Sequence, residues 1–363
     1  MSDIHIRVEG RAGRITLARP EALNALTYAM CGAIDAALTG WAGDPSVALV
    51  VIDAEERAFC AGGDIAEMYA AGSRGDFAYG RQFWGDEYRM NRRIFGYPKP
   101  VVSLLQGYVM GGGVGVGCHG SHRVVGETAK VAMPECGIGL VPDVGGSLLL
   151  ARAPGRLGEY LGLTGARMGP GDAIHAGFAE WHVPEAGWPE LVAALVAEGD
   201  AGAVERAAVP PPPSQLAERQ PEFDLLFGRE TLRDIAHALA EAEGALADEA
   251  GAALARNAPL SMACALELIR LVRKANTIEA ALVAEHRFTF RAMAEADFLE
   301  GIRARIVDKD NAPRWRHASP RDVPPEDVAR LLAPLGPDEL SFDGAAGNSD
   351  RDGALERQRG GEA

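Results

Sequence analysis

Apolar and polar residues alternate over residues 4–8 and again over 14–17, on either side of Gly10 and Gly13. A period of two broken by glycines predicts a β-hairpin. The next stretch, NALTYAMCGAIDAALTGW, has helical spacing with Thr27 placed to cap it. An apolar strand follows at 48–52, and the glycine-rich AFCAGGDIAEMYAAG leads into another helix. Residues 87–94 continue the helical pattern up to the PKP punctuation, after which VVSLLQ at 101–106 and HRVVG near 122 read as strands. Strands alternating with helices predict an α/β fold. Farther on, AAVPPPPSQLAERQP contains four consecutive prolines, which neither a helix nor a central strand accommodates. Beyond it, residues 229–296 are rich in Ala, Leu and Glu, with Ile278, Leu282 and His286 at fourfold spacing. These shifts predict a core at 1–205, a Pro-rich linker at 206–228, a helical module at 229–342 and a disordered tail at 343–363.

The 363 residues are 47% hydrophobic, enough to bury a sizeable core. Thirty-six basic against 51 acidic side chains give a formal charge of −15, which argues against nucleic acid or an anionic membrane surface as partner. The five cysteines are scattered and never form CxxC, so neither a disulfide framework nor a zinc ribbon is expected, and a reducing cytoplasm fits. The opening MSDIHIRVEGRAGRITL lacks the apolar stretch of a signal peptide, and no membrane-length apolar run occurs. A soluble cytoplasmic protein is the expectation.

The chemistry concentrates in MPECGIGLVPDVGG. It sets Glu135 and Asp143 on a segment whose Gly137, Gly139, Pro142, Gly145 and Gly146 exclude a single helix. Met133, Ile138, Leu140, Val141 and Val144 make the surroundings apolar, a setting that raises the pKa of an acid. Gly111, Gly112 and Gly113 open a helix where backbone N–H groups are exposed, and Ala61, Gly62 and Gly63 do the same before IAEMYAA. Two such donors aimed at one point make an oxyanion hole. GVGCHG at 115–120 is a formal GxGxxG, but too few residues separate it from the next strand for a dinucleotide-binding crossover. There is no GxSxG elbow. His119 and His122 lack a third metal ligand, Cys136 has no neighbouring base, and Arg270, Arg273 and Lys274 read as a solvated face.

LARPEALNALT, AFCAGGDI, GYVMGGGVG and AMPECGIGLVPDVGG resemble the crotonase (enoyl-CoA hydratase/isomerase) superfamily, with a match running from Ile4 to about Phe342. The resemblance implies a spiral of ββα repeats that binds a CoA thioester, with the carbonyl oxygen held by the backbone N–H groups of Ala61 and Gly112. DEYRMN, the PDVGG variant and ADFLEGIRARIVDKDNAPRW are similar to a thioester hydrolase branch that acts on a short 3-hydroxyacyl-CoA in valine breakdown. Carried over residue by residue, the resemblance implies Glu135 and Asp143 as catalytic and Glu87, Gly62, Gly63, Asp64 and Gly111 as substrate-binding. It implies no metal and no cofactor beyond the CoA of the substrate, and a homo-oligomer by analogy. Hydratases of the superfamily carry a catalytic glutamate where Gly115 stands, and dienoyl-CoA isomerases an aspartate, which disfavours both activities here. Isomerisation or hydration is the alternative activity, and a noncatalytic acyl-CoA-binding protein the alternative of another class.

Overall fold

The computed structural model of the protein describes residues 3–342, so the expected tail at 343–363 lies outside them. The opening hairpin forms as β1 (Ile4–Glu9) and β2 (Ala12–Leu17), antiparallel with Ile4 opposite Leu17. Helix α1 (Tyr28–Ala42) starts where Thr27 accepts the Met30 N–H at 3.2 Å. Strand β3 (Leu49–Ala54) leads into α2 (Ile65–Gly72) and α3 (Phe77–Phe95). The next turn is β4 (Val101–Leu105), β5 (Tyr108–Met110) and α4 (Gly112–Gly117). The one after is β6 (His122–Val125), β7 (Lys130–Ala132), a 3-10 turn at Glu135–Ile138 and α5 (Gly146–Arg152). Then come α6 (Leu157–Thr164), α7 (Pro170–His175), β8 (Trp181–His182), α8 (Trp188–Glu198) and α9 (Gly202–Ala207).

Each repeat places its first strand in a six-stranded sheet of order β1-β2-β3-β4-β6-β8, parallel after the hairpin, while β5 and β7 pair with each other in a second sheet. This is the spiral of ββα turns. The central strands are buried on both faces, as parallel strands under helices must be. Leu49 and Val51 pack toward Leu191 and Leu195 of α8, while Val50 and Ile52 point into the larger core.

The C-terminal half is helical, as its composition predicts: α10 (Gln215–Glu218), α11 (Gln220–Phe227), α12 (Leu232–Glu241), α13 (Ala245–Arg256), α14 (Pro259–Ala275), α15 (Ile278–Glu295), α16 (Phe298–Ile302) and α17 (Pro325–Leu332). The linker expectation needs correction. Of residues 206–228 only the stretch around the prolines is extended. The rest is helix, with Phe223 and Phe227 buried and Phe223 stacked on Tyr160 at 4.6 Å between ring centroids. The prolines strap the chain across the core. Nor do the C-terminal helices make a core of their own: α14 packs on α5 and α6, α15 on α3, and α16 on α2, within one continuous apolar cluster. Two glycines permit this closeness, since a Cβ on Gly301 would fall 2.1 Å from the Ile138 carbonyl oxygen and one on Gly139 2.4 Å from that of Asp297.

Candidate active site

The small sheet explains why residues distant in sequence meet. β5 and β7 run parallel, and Cys60 bridges to Val109, so three successive turns of the spiral leave the same end of one sheet. Immediately beyond those ends lie Ala61–Gly63, Gly111–Gly113 and the turn that begins at Glu135.

The glycines are required by proximity. Gly62 and Gly111 adopt positive φ, 126° and 49°. A Cβ on Gly111 would come 3.0 Å from Glu135 Oε1 and 3.6 Å from Gly62 Cα. A Cβ on Gly112 would come 3.0 Å from Glu87 Oε1 and 3.3 Å from the Gly63 nitrogen. Gly62, Gly63, Gly111, Gly112, Glu87 and Glu135 therefore gather at one point, five of the six on the two glycine loops and the turn that begins at Glu135.

Two expected roles change. The Ala61 N–H donates to the Leu23 carbonyl at 3.0 Å, whereas the N–H groups of Gly62, Gly63 and Gly112 have no acceptor among the described residues. The uncommitted donors facing Gly112 thus belong to the two glycines after Ala61. Asp64, expected to contact substrate, instead caps α2 by accepting the Ala66 N–H at 3.2 Å and pairs with Arg19 at 2.8 Å. Its carboxylate is already engaged in holding the loop.

Glu135 is buried, and neither of its carboxyl oxygens has a hydrogen-bond partner among the described residues. Burial, reinforced by the negative charge of Asp143, holds its pKa well above the ordinary range. Asp143 accepts from the Tyr88 hydroxyl at 2.7 Å. Burial pushes it up to about 7, against the opposing pull of that hydrogen bond. Glu87 is raised by burial and then by Asp143, and its Oε1 also lacks a partner. Three buried acids thus lie within electrostatic reach of one another, and Glu87 and Glu135 carry oxygens without partners among the described residues.

The Asp143 turn is held by contacts that the sequence did not reveal. Val144 takes the left-handed conformation at φ 54°, unusual for a β-branched side chain, and Gly145 follows at φ 79°. His119 Nε2–H donates to the Val144 carbonyl at 2.8 Å, and burial lowers this imidazole to about 4, leaving it neutral. From α15, Glu285 accepts the N–H groups of Gly145 and Ser147 at 2.8 and 3.0 Å and also the Ser147 hydroxyl. The only advance signal for Glu285 was an acid within the apolar stripe beside Ile278 and Leu282. His119, weighed in the sequence as a metal ligand, has a structural role. Cys136 is a buried thiol raised well above its ordinary pKa by burial, unsuited to act as a nucleophile. Arg273, read as part of a solvated face, instead forks onto the fully buried Glu159 at 2.6 and 2.8 Å.

Comparison with known proteins follows the same lines. The profile of the enoyl-CoA hydratase/isomerase family matches residues 12–332. The chain is 34% identical over 353 residues to "3-hydroxyisobutyryl-CoA hydrolase, mitochondrial" of Gallus gallus, covering 94% of this chain and 91% of that protein. It is 37% identical over 317 residues to "3-hydroxyisobutyryl-CoA hydrolase 1" of Arabidopsis thaliana, covering 83% of each. A crystal structure described as an enoyl-CoA hydratase from Rhodobacter sphaeroides 2.4.1 superposes with a TM-score of 0.90 at 60% identity, covering 94% of this chain and all of that one.

Proposed function

The chain belongs to the enoyl-CoA hydratase/isomerase family, and from that membership we propose that it is an acyl-CoA thioester hydrolase that cleaves 3-hydroxyisobutyryl-CoA, as in valine breakdown. The observation that carries the reading is the unpartnered Glu135 carboxylate, its Oε1 3.0 Å from the point a Gly111 Cβ would occupy, next in the chain to the uncommitted Gly112 N–H, with no acid at position 115.

In this reading the thioester oxygen accepts from Gly112 and from the Gly62–Gly63 loop, so that negative charge developing on it meets fixed donors. Glu135 either attacks the carbonyl carbon, expelling the CoA thiolate and leaving a mixed anhydride that water opens, or takes a proton from a water that attacks directly. On the second route the tetrahedral adduct collapses with cleavage of the C–S bond, and the proton on Glu135 passes to sulfur. Asp143, fixed by Tyr88, orients the water or the acyl hydroxyl, and Glu87 lines the acyl pocket beside Gly112. The five buried, unpaired cysteines fit a reducing compartment such as the cytoplasm.

Hydration of an enoyl thioester is the second reading, favoured by the description of the Rhodobacter structure. It requires a second acid at 115. A side chain there has no room, since a Cβ on Gly115 would lie 2.7 Å from Asn91 Nδ2 and 2.8 Å from Val144 Cβ. The test is CoA release from 3-hydroxyisobutyryl-CoA set beside hydration of crotonyl-CoA by the same preparation. Hydrolysis should dominate. Hydration without CoA release would reverse the assignment, and tight binding of both esters without turnover would make this a noncatalytic acyl-CoA-binding protein.

The site also fixes the sign of the pH dependence. Glu135 works as a carboxylate on either route, and burial plus Asp143 hold its proton well above the usual pKa of about 4. Activity is therefore absent where the buried pair is protonated and appears as pH rises through its macroscopic pKa values. kcat/KM is expected to follow an acid limb displaced well above the ordinary carboxylate range. Asp143→Asn removes the charge that helps hold Glu135 up, so the limb should move to lower pH. A limb that stays in place or moves upward contradicts this coupling.

A further inference from the structure

Asn91 is fully buried, and neither Nδ2 nor Oδ1 has a hydrogen-bond partner among the described residues. A buried carboxamide with its donors and acceptor idle is unfavourable and calls for a ligand to complete it. Its position identifies the ligand. Asn91 stands one turn after Glu87 on the same face of α3. Glu87 Oε1 lies 3.0 Å from the point a Gly112 Cβ would occupy, and Asn91 Nδ2 lies 2.7 Å from the corresponding point on Gly115. Two polar groups one turn apart on α3 thus face two side-chain-free positions one turn apart on α4.

Gly112 and Gly115 are separated by about 4.5 Å along the axis of α4. A thioester whose oxygen sits at the Gly112 N–H directs its acyl carbons along that floor. A hydroxyl on the second carbon beyond the carbonyl lies about 3 to 4 Å away by ordinary bond lengths, which brings it to Asn91. The carboxamide can both donate to such a hydroxyl and accept from it. Being neutral, it adds no further charge to a site already crowded with Glu87, Glu135 and Asp143.

We propose that Asn91 determines specificity for a hydroxylated acyl group, its idle carboxamide exchanging hydrogen bonds with the 3-hydroxyl while the thioester oxygen occupies the Gly112 hole. This rests on the thioester hydrolase reading. Asn91→Leu keeps the number and branching of the heavy atoms and removes every donor and acceptor, and Asn91→Ala removes the side chain beyond Cβ. For wild type and both variants, kcat/KM is measured on 3-hydroxyisobutyryl-CoA and on isobutyryl-CoA, which differs only in lacking the hydroxyl. The ratio of the two is internal to each preparation, so partial unfolding cancels from it.

The ratio is expected to fall at least about tenfold in both variants, with isobutyryl-CoA hydrolysis per folded enzyme held within about threefold. A ratio within about twofold of wild type, or an equal fall on both esters, overturns the assignment, since packing alone has no means of telling the two esters apart. If the wild type releases CoA from neither ester, the hydrolase reading fails by itself. The same ratio taken from the dissociation constants of the two esters then decides the role of Asn91.

Discussion

Glu135→Gln is expected to lower CoA release from 3-hydroxyisobutyryl-CoA by at least about 10³-fold while leaving the protein folded and more stable than wild type at neutral pH. The amide is nearly isosteric, so the cleft keeps its shape and the ester still reaches the glycine loops. It neither attacks the carbonyl carbon nor accepts a proton from water, and both routes stop at that atom. The stability change has a separate cause. In the folded state, burial and Asp143 hold the Glu135 proton well above its unfolded value. The native state therefore binds more protons than the unfolded chain once pH exceeds the ordinary carboxylate range, and stability falls as pH rises. A glutamine carries no such proton. The Tm advantage of the variant should be small at pH 5 and larger at pH 8. Two measurements check this: single-turnover CoA release, and thermal melts at those two pH values. Retained turnover would remove Glu135 from the chemistry, and a Tm gain that shrinks with pH would show that its buried oxygens are not the source of the linkage.

Much of this arrangement was legible in the chain because it depends on local rules. The hairpin follows from alternation and glycine, α1 from spacing and the Thr27 cap, and the two glycine loops from backbone that must approach a ligand. Glu135 and Asp143 were conspicuous as acids on a non-helical apolar segment. What remained hidden depends on contacts distant in sequence. Nothing near Ala61 signals that its N–H turns to the Leu23 carbonyl, because Leu23 reaches it only through its own left-handed conformation at φ 51°. The residues that hold the Asp143 turn come from α15, and Tyr88 from α3, so only the packed structure joins them. The Pro-rich segment was misread for a related reason: proline excludes helix locally, but the aromatics just beyond it find Tyr160 and pull the chain onto the core. Asn91 stood in plain sight within DEYRMN, yet an asparagine on a helix acquires meaning only when its neighbour across the cleft proves to be a glycine.

The second large effect is expected at the clamp that binds the C-terminal helices to the catalytic half. Glu159, on α6, is fully buried, and Arg273, on α14, meets both of its oxygens at 2.6 and 2.8 Å while its Nε donates to the Ala151 carbonyl near the end of α5 at 3.1 Å. Arg156 adds one bond at 3.0 Å from a side chain that is 40% exposed. Removing one partner of a buried pair strands the other, and Arg273→Ala is expected to destabilise the fold by about 3 kcal/mol, the low end for such a break because Arg156 remains. In Tm this corresponds to a fall of roughly 5–10 °C. Arg273→Lys should recover little, since an ammonium cannot reproduce the two parallel bonds of the guanidinium fork. The double variant Arg273→Met with Glu159→Leu removes both charges together and should regain most of the lost stability, because the carboxylate is no longer left behind. Below its melting temperature Arg273→Ala should keep near wild-type turnover, for the clamp touches neither Glu135 nor the glycine loops. Equal Tm values for Arg273→Ala and Arg273→Met/Glu159→Leu would mean that packing of α14, rather than a stranded carboxylate, accounts for the loss.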